Sequence, residues 1–133
     1  MTVRVVRDMA APMRHEITIG RNHLATDATM EEGGEGSGPS PHDLYDAALG
    51  ACKALTVLWY AKHRGMDVQN IEVNVERDAS EERSGIYRLN TELTLTGNLN
   101  DAQRADLLRI AQKCPIHKLM TEVKTEITTT LAA

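Results

Sequence analysis

From Ser40 to Arg64 the chain carries one glycine and, after Pro41, no proline, and no other segment constrains the fold as strongly. An uninterrupted stretch of that length predicts a long helix with marked ends. Ser40 is placed as N-cap, Pro41 as the first helical residue and Asp43 as the third, so that Ser40 and Asp43 form the two ends of a capping box. Leu44, Ala47, Ala48, Ala51, Cys52, Leu55, Leu58 and Trp59 recur at three- and four-residue steps. The stripe is wide and rich in small residues, which predicts a central helix packed at close range on several sides. Gly65 follows as a left-handed C-cap.

The flanking segments have a different period. Residues 3–6, 15–19 and 24–29 read as short strands of an antiparallel meander, separated by Ala10-Ala11-Pro12 and Gly20-Arg21-Asn22. Residues 31–38 are acidic and glycine-rich without an apolar anchor, and are expected to form a mobile loop. Beyond the helix, Ile71, Val73 and Val75 alternate with Glu72, Asn74 and Glu76. Tyr87, Leu89, Thr91, Leu93 and Leu95 repeat the pattern, which predicts a two-stranded hairpin. Asn100 or Asp101 opens a second helix carrying Ala105, Leu108 and Ala111, which stops near Cys114-Pro115. A short third helix over residues 115–122 and a Thr-rich closing strand over residues 123–131 complete the order, an α+β pattern and not an alternating βαβ one.

A chain of 133 residues is expected to be a single domain, residues 1–133. Its net charge of −4 provides no broad cationic surface for a phosphate backbone, and one Trp, three Tyr and no Phe leave little to stack on bases. Nucleic acid is therefore not an expected partner. No apolar run approaches the roughly 20 residues needed to span a bilayer, and a cytoplasmic location without membrane attachment is expected. The thiol pool of that compartment keeps accessible cysteine pairs reduced, so any pairing of the two cysteines is expected to be transient.

Cys52 falls inside the apolar stripe of the long helix and is expected to be largely buried, where a cysteine is usually a small inert hydrophobe. Cys114 stands at the N-cap of the third helix. Free backbone N–H groups and the positive end of the helix dipole favour a thiolate there, and His117 lies within the first turn to add positive charge or accept a proton. On local grounds Cys114 is the more activated thiol, against the plainer reading of a helix start with an incidental histidine. A zinc site needs three or four ligands, and Cys114 and His117 supply two, with Cys52, His42 and His23 as completers.

The run from Gly38-Pro39-Ser40-Pro41-His42 through Ala51-Cys52 resembles the first cysteine helix of the OsmC/Ohr family, and Lys113-Cys114-Pro115-Ile116-His117-Lys118 resembles its second cysteine box. The stretch Arg14 to Gly20, with Asp27 and Gly33-Gly34, is more similar to the OsmC-like branch whose second box reads Cys-Pro-X-His. The resemblance implies an OsmC-like intertwined homodimer, with antiparallel sheets wrapped around two long central helices. It also implies a peroxidase that acts on organic hydroperoxides in oxidative or osmotic stress. Cys52 attacks the peroxide and becomes a sulfenic acid, Cys114 condenses with it to a disulfide, and an external thiol or dithiol reduces that bond without a bound cofactor. Leu44, Leu55 and Met120 are candidates to line an apolar approach.

Peroxidases of the family carry a glutamate ten residues ahead of the first cysteine, paired with an arginine from the N-terminal sheet. Here that position is His42, and Arg14 is the candidate arginine, with Arg21 a further one by position. Asp43 is explained by the capping box. The substitution at His42 raises a competing expectation, a dimeric protein that binds a lipid-like or acyl ligand or senses redox state without efficient turnover.

Overall fold

The computed structural model describes residues 1–132. The chain forms two compact units, Met1–Ala47 and Ala48–Ala133.

In the first unit, β1 (Val3–Arg7), β2 (His15–Ile19) and β3 (Asn22–Thr26) form an antiparallel meander in that order. Val5 lies opposite Ile17, and Ile17 opposite Leu24, with Ile17 the buried member. The β2–β3 loop has only two residues and begins with Gly20 at φ 58°, the positive value that a tight hairpin of this kind requires at its first position. This hairpin moves the third strand two residues earlier than the β-rich run suggested. Val, Ile and Thr content marks a strand's middle better than its ends.

The acidic glycine loop is held, not mobile. The Asp27 carboxylate, only 4% exposed, accepts from the backbone N–H of Ala28 (2.8 Å), Glu35 (3.2 Å) and Ser37 (3.0 Å), and from the Ser37 hydroxyl (2.7 Å). At Gly34 a Cβ would stand 2.2 Å from the Ala28 carbonyl oxygen, so only glycine fits. The Ser37 hydroxyl and then its N–H hold the Asp27 carboxyl at about 2, below the ordinary 3.8. Because the folded value is depressed, this stabilisation is fully present above 3.8 and is lost as pH falls through about 2. The Glu35 and Ser37 amides are therefore expected to exchange slowly until that range is reached. In Asp27→Ala they exchange fast at every pH, and equal protection in the variant would refute the clasp.

Helix α1 (Pro41–His63) starts as expected. The Asp43 N–H donates to the Ser40 hydroxyl oxygen at 3.1 Å and the Ser40 N–H to the Asp43 carboxylate at 3.0 Å. It ends with Gly65 at φ 66° and the Met66 N–H donating to the Ala61 carbonyl, the six-to-one bond of a Schellman cap.

Within the second unit, β4 (Asn70–Asp78) and β5 (Arg88–Thr96) pair with Ile71 opposite Leu95 and Val73 opposite Leu93. Their alternate residues are half-buried and the intervening ones exposed, as the alternation predicted. Helix α2 (Asp101–Ala111) opens on a complete capping box between Asn100 and Gln103, and α3 (Pro115–Thr121) opens on Cys114. The core of this unit is Val57, Ala61, Leu107 and Ala111, flanked by Tyr60, Met66, Val68, Ile71, Leu93, Leu95 and Leu99. Helix α1 passes β4 at Gly50, where a Cβ would lie 3.0 Å from Val75 Cγ2.

Three expectations need correction. The buried positions of α1 in this unit are Leu49, Gly50, Lys53, Val57 and Ala61, whereas Leu55 and Trp59 are 69% and 61% exposed. A helix that is apolar nearly all round does not announce which stripe faces the core. On α2 the buried residues are Leu107 and, as expected, Ala111, whereas Leu108 is half-exposed. Residues 123–131 form no strand: extended residues need a neighbouring backbone to bond, and the recorded strand pairs of both sheets leave this segment out.

Candidate active site

Cys52 sits mid-way along α1 and Cys114 caps α3, and the fold brings both sulfurs to the N-terminus of α3. The Ile116 N–H donates to Cys52 Sγ and the His117 N–H to Cys114 Sγ, each at 3.4 Å. Pro115 makes this arrangement by occupying the first helical position without an N–H of its own, which leaves the next two amides aimed at sulfur. The Thr56 hydroxyl lies 3.9 Å from Cys52 Sγ.

The two thiols are unequal. Cys114 is fully buried and Cys52 only partly so; both are free. Burial pushes the Cys114 thiol up, the His117 N–H draws it down, the adjacent Cys52 raises it and the Lys53 charge lowers it. The expectation that Cys114 is the more activated thiol is thus reversed in its main cause. The helix N-terminus is present, but desolvation outweighs it, and Cys52, expected to be the largely buried one, is the more exposed sulfur of the two.

Lys53 is the residue that sequence reasoning missed. It is 3% exposed, and its Nζ donates to the Ala111 carbonyl at 2.8 Å and to His117 Nδ1 at 2.9 Å. An ammonium has only donors, so Nδ1 accepts and the ring proton resides on Nε2. The cation beside Cys114 is therefore Lys53, where His117 had been the candidate. Its signal was present: Lys53 interrupts the four-residue spacing of Leu49, Val57 and Ala61.

Arg14 and His42 belong to the first unit. The Arg14 guanidinium donates to Glu16 at 3.2 Å and to the Ser37 carbonyl and hydroxyl at 3.0 and 3.1 Å, which ties β2 to the Asp27 loop. His42 is exposed on the first turn of α1. Among the described residues no group of three or more His, Cys, Asp or Glu side chains is placed to hold a metal ion, and no helix is long and apolar enough to cross a membrane.

A helix-borne thiol and a second thiol capping a Cys-Pro helix, beside a two-stranded hairpin, define an OsmC-type α+β protein. The family model for OsmC-like proteins matches residues 34–130, and the chain belongs to that family. Solved structures share the fold. An OsmC-like protein from Mycoplasma pneumoniae is 16% identical with a TM-score of 0.74, covering 92% of this chain and 87% of its own. The organic hydroperoxide resistance protein OsmC of Legionella pneumophila is 22% identical with a TM-score of 0.63 (92% and 90%). The organic hydroperoxide resistance protein OhrB of Bacillus subtilis is 23% identical with a TM-score of 0.59 (92% of each). No curated protein matches the chain in sequence.

Proposed function

We propose that the protein is a thiol-dependent peroxidase that reduces organic hydroperoxides in a stress response. The observation that carries this reading is the pair of free thiols, one accessible and one buried, meeting at a single helix N-terminus. The Cys52 thiolate attacks the distal peroxide oxygen, the O–O bond breaks, and the alcohol leaves with a proton while Cys52 becomes a sulfenic acid. Cys114 then displaces that oxygen as water and forms the disulfide, which an external thiol or dithiol reduces. Membership of the OsmC family supports a redox role of this kind. In this reading Arg14 and His42 are the first unit's candidates for the family's arginine and carboxylate positions. The test is thiol-dependent loss of cumene hydroperoxide, with an intramolecular disulfide appearing in step. Retention of an acyl ligand, with no disulfide after mild peroxide, would favour the binding protein instead.

The same reading includes a homodimer. Ala48, Ala51, Leu55 and Trp59 form an exposed apolar stripe along α1, and large exposed apolar faces of this kind mark association surfaces. A second copy is the occupant that the family implies. Sedimentation equilibrium is expected to give twice the chain mass, and Leu55→Asp with Trp59→Glu to shift it toward the single chain. A monomeric parent protein would overturn this part.

A further inference from the structure

Few side chains are as costly to bury as a lysine, and one with two acceptors and no carboxylate partner calls for a use. Lys53 is such a residue. It follows Cys52 in sequence and reaches between the last turn of α2 and the first turn of α3. The Ala111 carbonyl that it binds belongs to the C-terminal end of α2, where the helix dipole favours a cation. Its second contact, His117 Nδ1, belongs to the residue whose N–H donates to Cys114 Sγ. The groups facing the Cys114 sulfur are thus Cys52 and Lys53 from α1, and His117 from α3.

We propose that Lys53 is a positioning residue of the second half of the cycle: its buried ammonium, anchored by Ala111 and His117, lets Cys114 react as a thiolate with oxidised Cys52. This deepens the peroxidase reading and rests on it. In that step the Cys114 thiolate gives an electron pair to the Cys52 sulfur, and the Cys52 S–O bond breaks. Hydroxide leaves and takes up a proton to become water. The Cys52 sulfur, already oxidised by the hydroperoxide, is the electron acceptor. A neutral thiol is a poor nucleophile for this displacement, and burial without a compensating charge keeps Cys114 neutral. Lys53 supplies that charge from a fixed direction, and the same contact fixes the His117 ring with its N–H on Nε2.

The experiment follows the two halves separately after a pulse of cumene hydroperoxide, with a sulfenate-specific trap for the first and non-reducing mass analysis for the second. In Lys53→Met, disulfide closure is expected to slow about 10-fold more than sulfenate formation, as one pKa unit on the attacking thiol implies. Its rate profile moves to higher pH, and Lys53→Arg recovers most of the loss. Closure and pH profile both unchanged in Lys53→Met overturn the proposal. Should that variant fail to fold, Lys53→Gln removes the charge while keeping a donor for Ala111. If no protein yields a sulfenate, the peroxidase reading fails, but Lys53 is still tested. In a Cys52→Ser background the ultraviolet thiolate absorbance of Cys114 titrates at higher pH without the lysine if it acts on that sulfur. An unmoved midpoint overturns it.

Discussion

Cys52→Ser is expected to abolish thiol-dependent hydroperoxide consumption outright, whereas Cys114→Ser keeps the first oxidation and loses the disulfide. The asymmetry follows from exposure. Cys52 is the partly accessible sulfur and Cys114 the fully buried one, so in the proposed cycle a hydroperoxide meets Cys52 first. Removing it leaves a thiol that burial has pushed toward its neutral form. Removing Cys114 leaves a sulfenic acid with no internal partner, which a dimedone-type reagent traps on Cys52. With small thiols as reductant, that variant still turns over slowly through a mixed disulfide. Reverse labelling, on Cys114 in the Cys52→Ser protein, would exchange the two roles and return to the assignment that local sequence reasoning favoured.

The second large effect concerns stability. Leu107 is fully buried among Val57, Ala61 and Ala111, where α2 meets α1. Truncation to alanine removes three carbons from a fully buried site and leaves a cavity among the side chains packed around it. The expected cost is about 3 kcal/mol in chemical denaturation. Leu108→Ala, one residue on and half-exposed, is expected to cost about 1 kcal/mol or less. Equal losses would mean that the helix presents its other face to the core. The same core carries α1 and α2 past one another at the point where Lys53 reaches Ala111, so Leu107→Ala should also slow disulfide closure.

Where chemistry and local geometry coincide, the sequence was legible. The capping box at Ser40, the left-handed Gly65, the alternation of the β4–β5 hairpin and Cys114 as N-cap before Pro115 are short-range patterns in which the residues named are the residues used. The two cysteine boxes likewise marked the thiol pair. What could not be read depends on the partner an element meets. An apolar stripe continuous around α1 concealed that Leu49, Lys53, Val57 and Ala61 face inward. Polar composition made residues 31–38 seem loose, because four donors converging on Asp27 come from three separate positions along the chain. Thr-rich propensity over residues 123–131 predicted a strand, but among the described residues no strand pairs with this segment. The burial that pushes the Cys114 thiol up was missed for the same reason, since dipole and sequence neighbours are local whereas desolvation is not.

The nine-residue strands β4 and β5 make a sheet of only two members, and such a sheet leaves both of its margins open to any extended peptide. Their solvent-facing positions answer that hazard. Glu72, Glu76, Asp78 and Glu92 stand on the exposed positions, against two cations, Arg77 and Arg88. A stray strand of similar acidity is repelled before its backbone comes within bonding range, and stacking of identical hairpins is disfavoured in the same way. The newly made chain thus carries its own guard against clumping from the moment it leaves the ribosome.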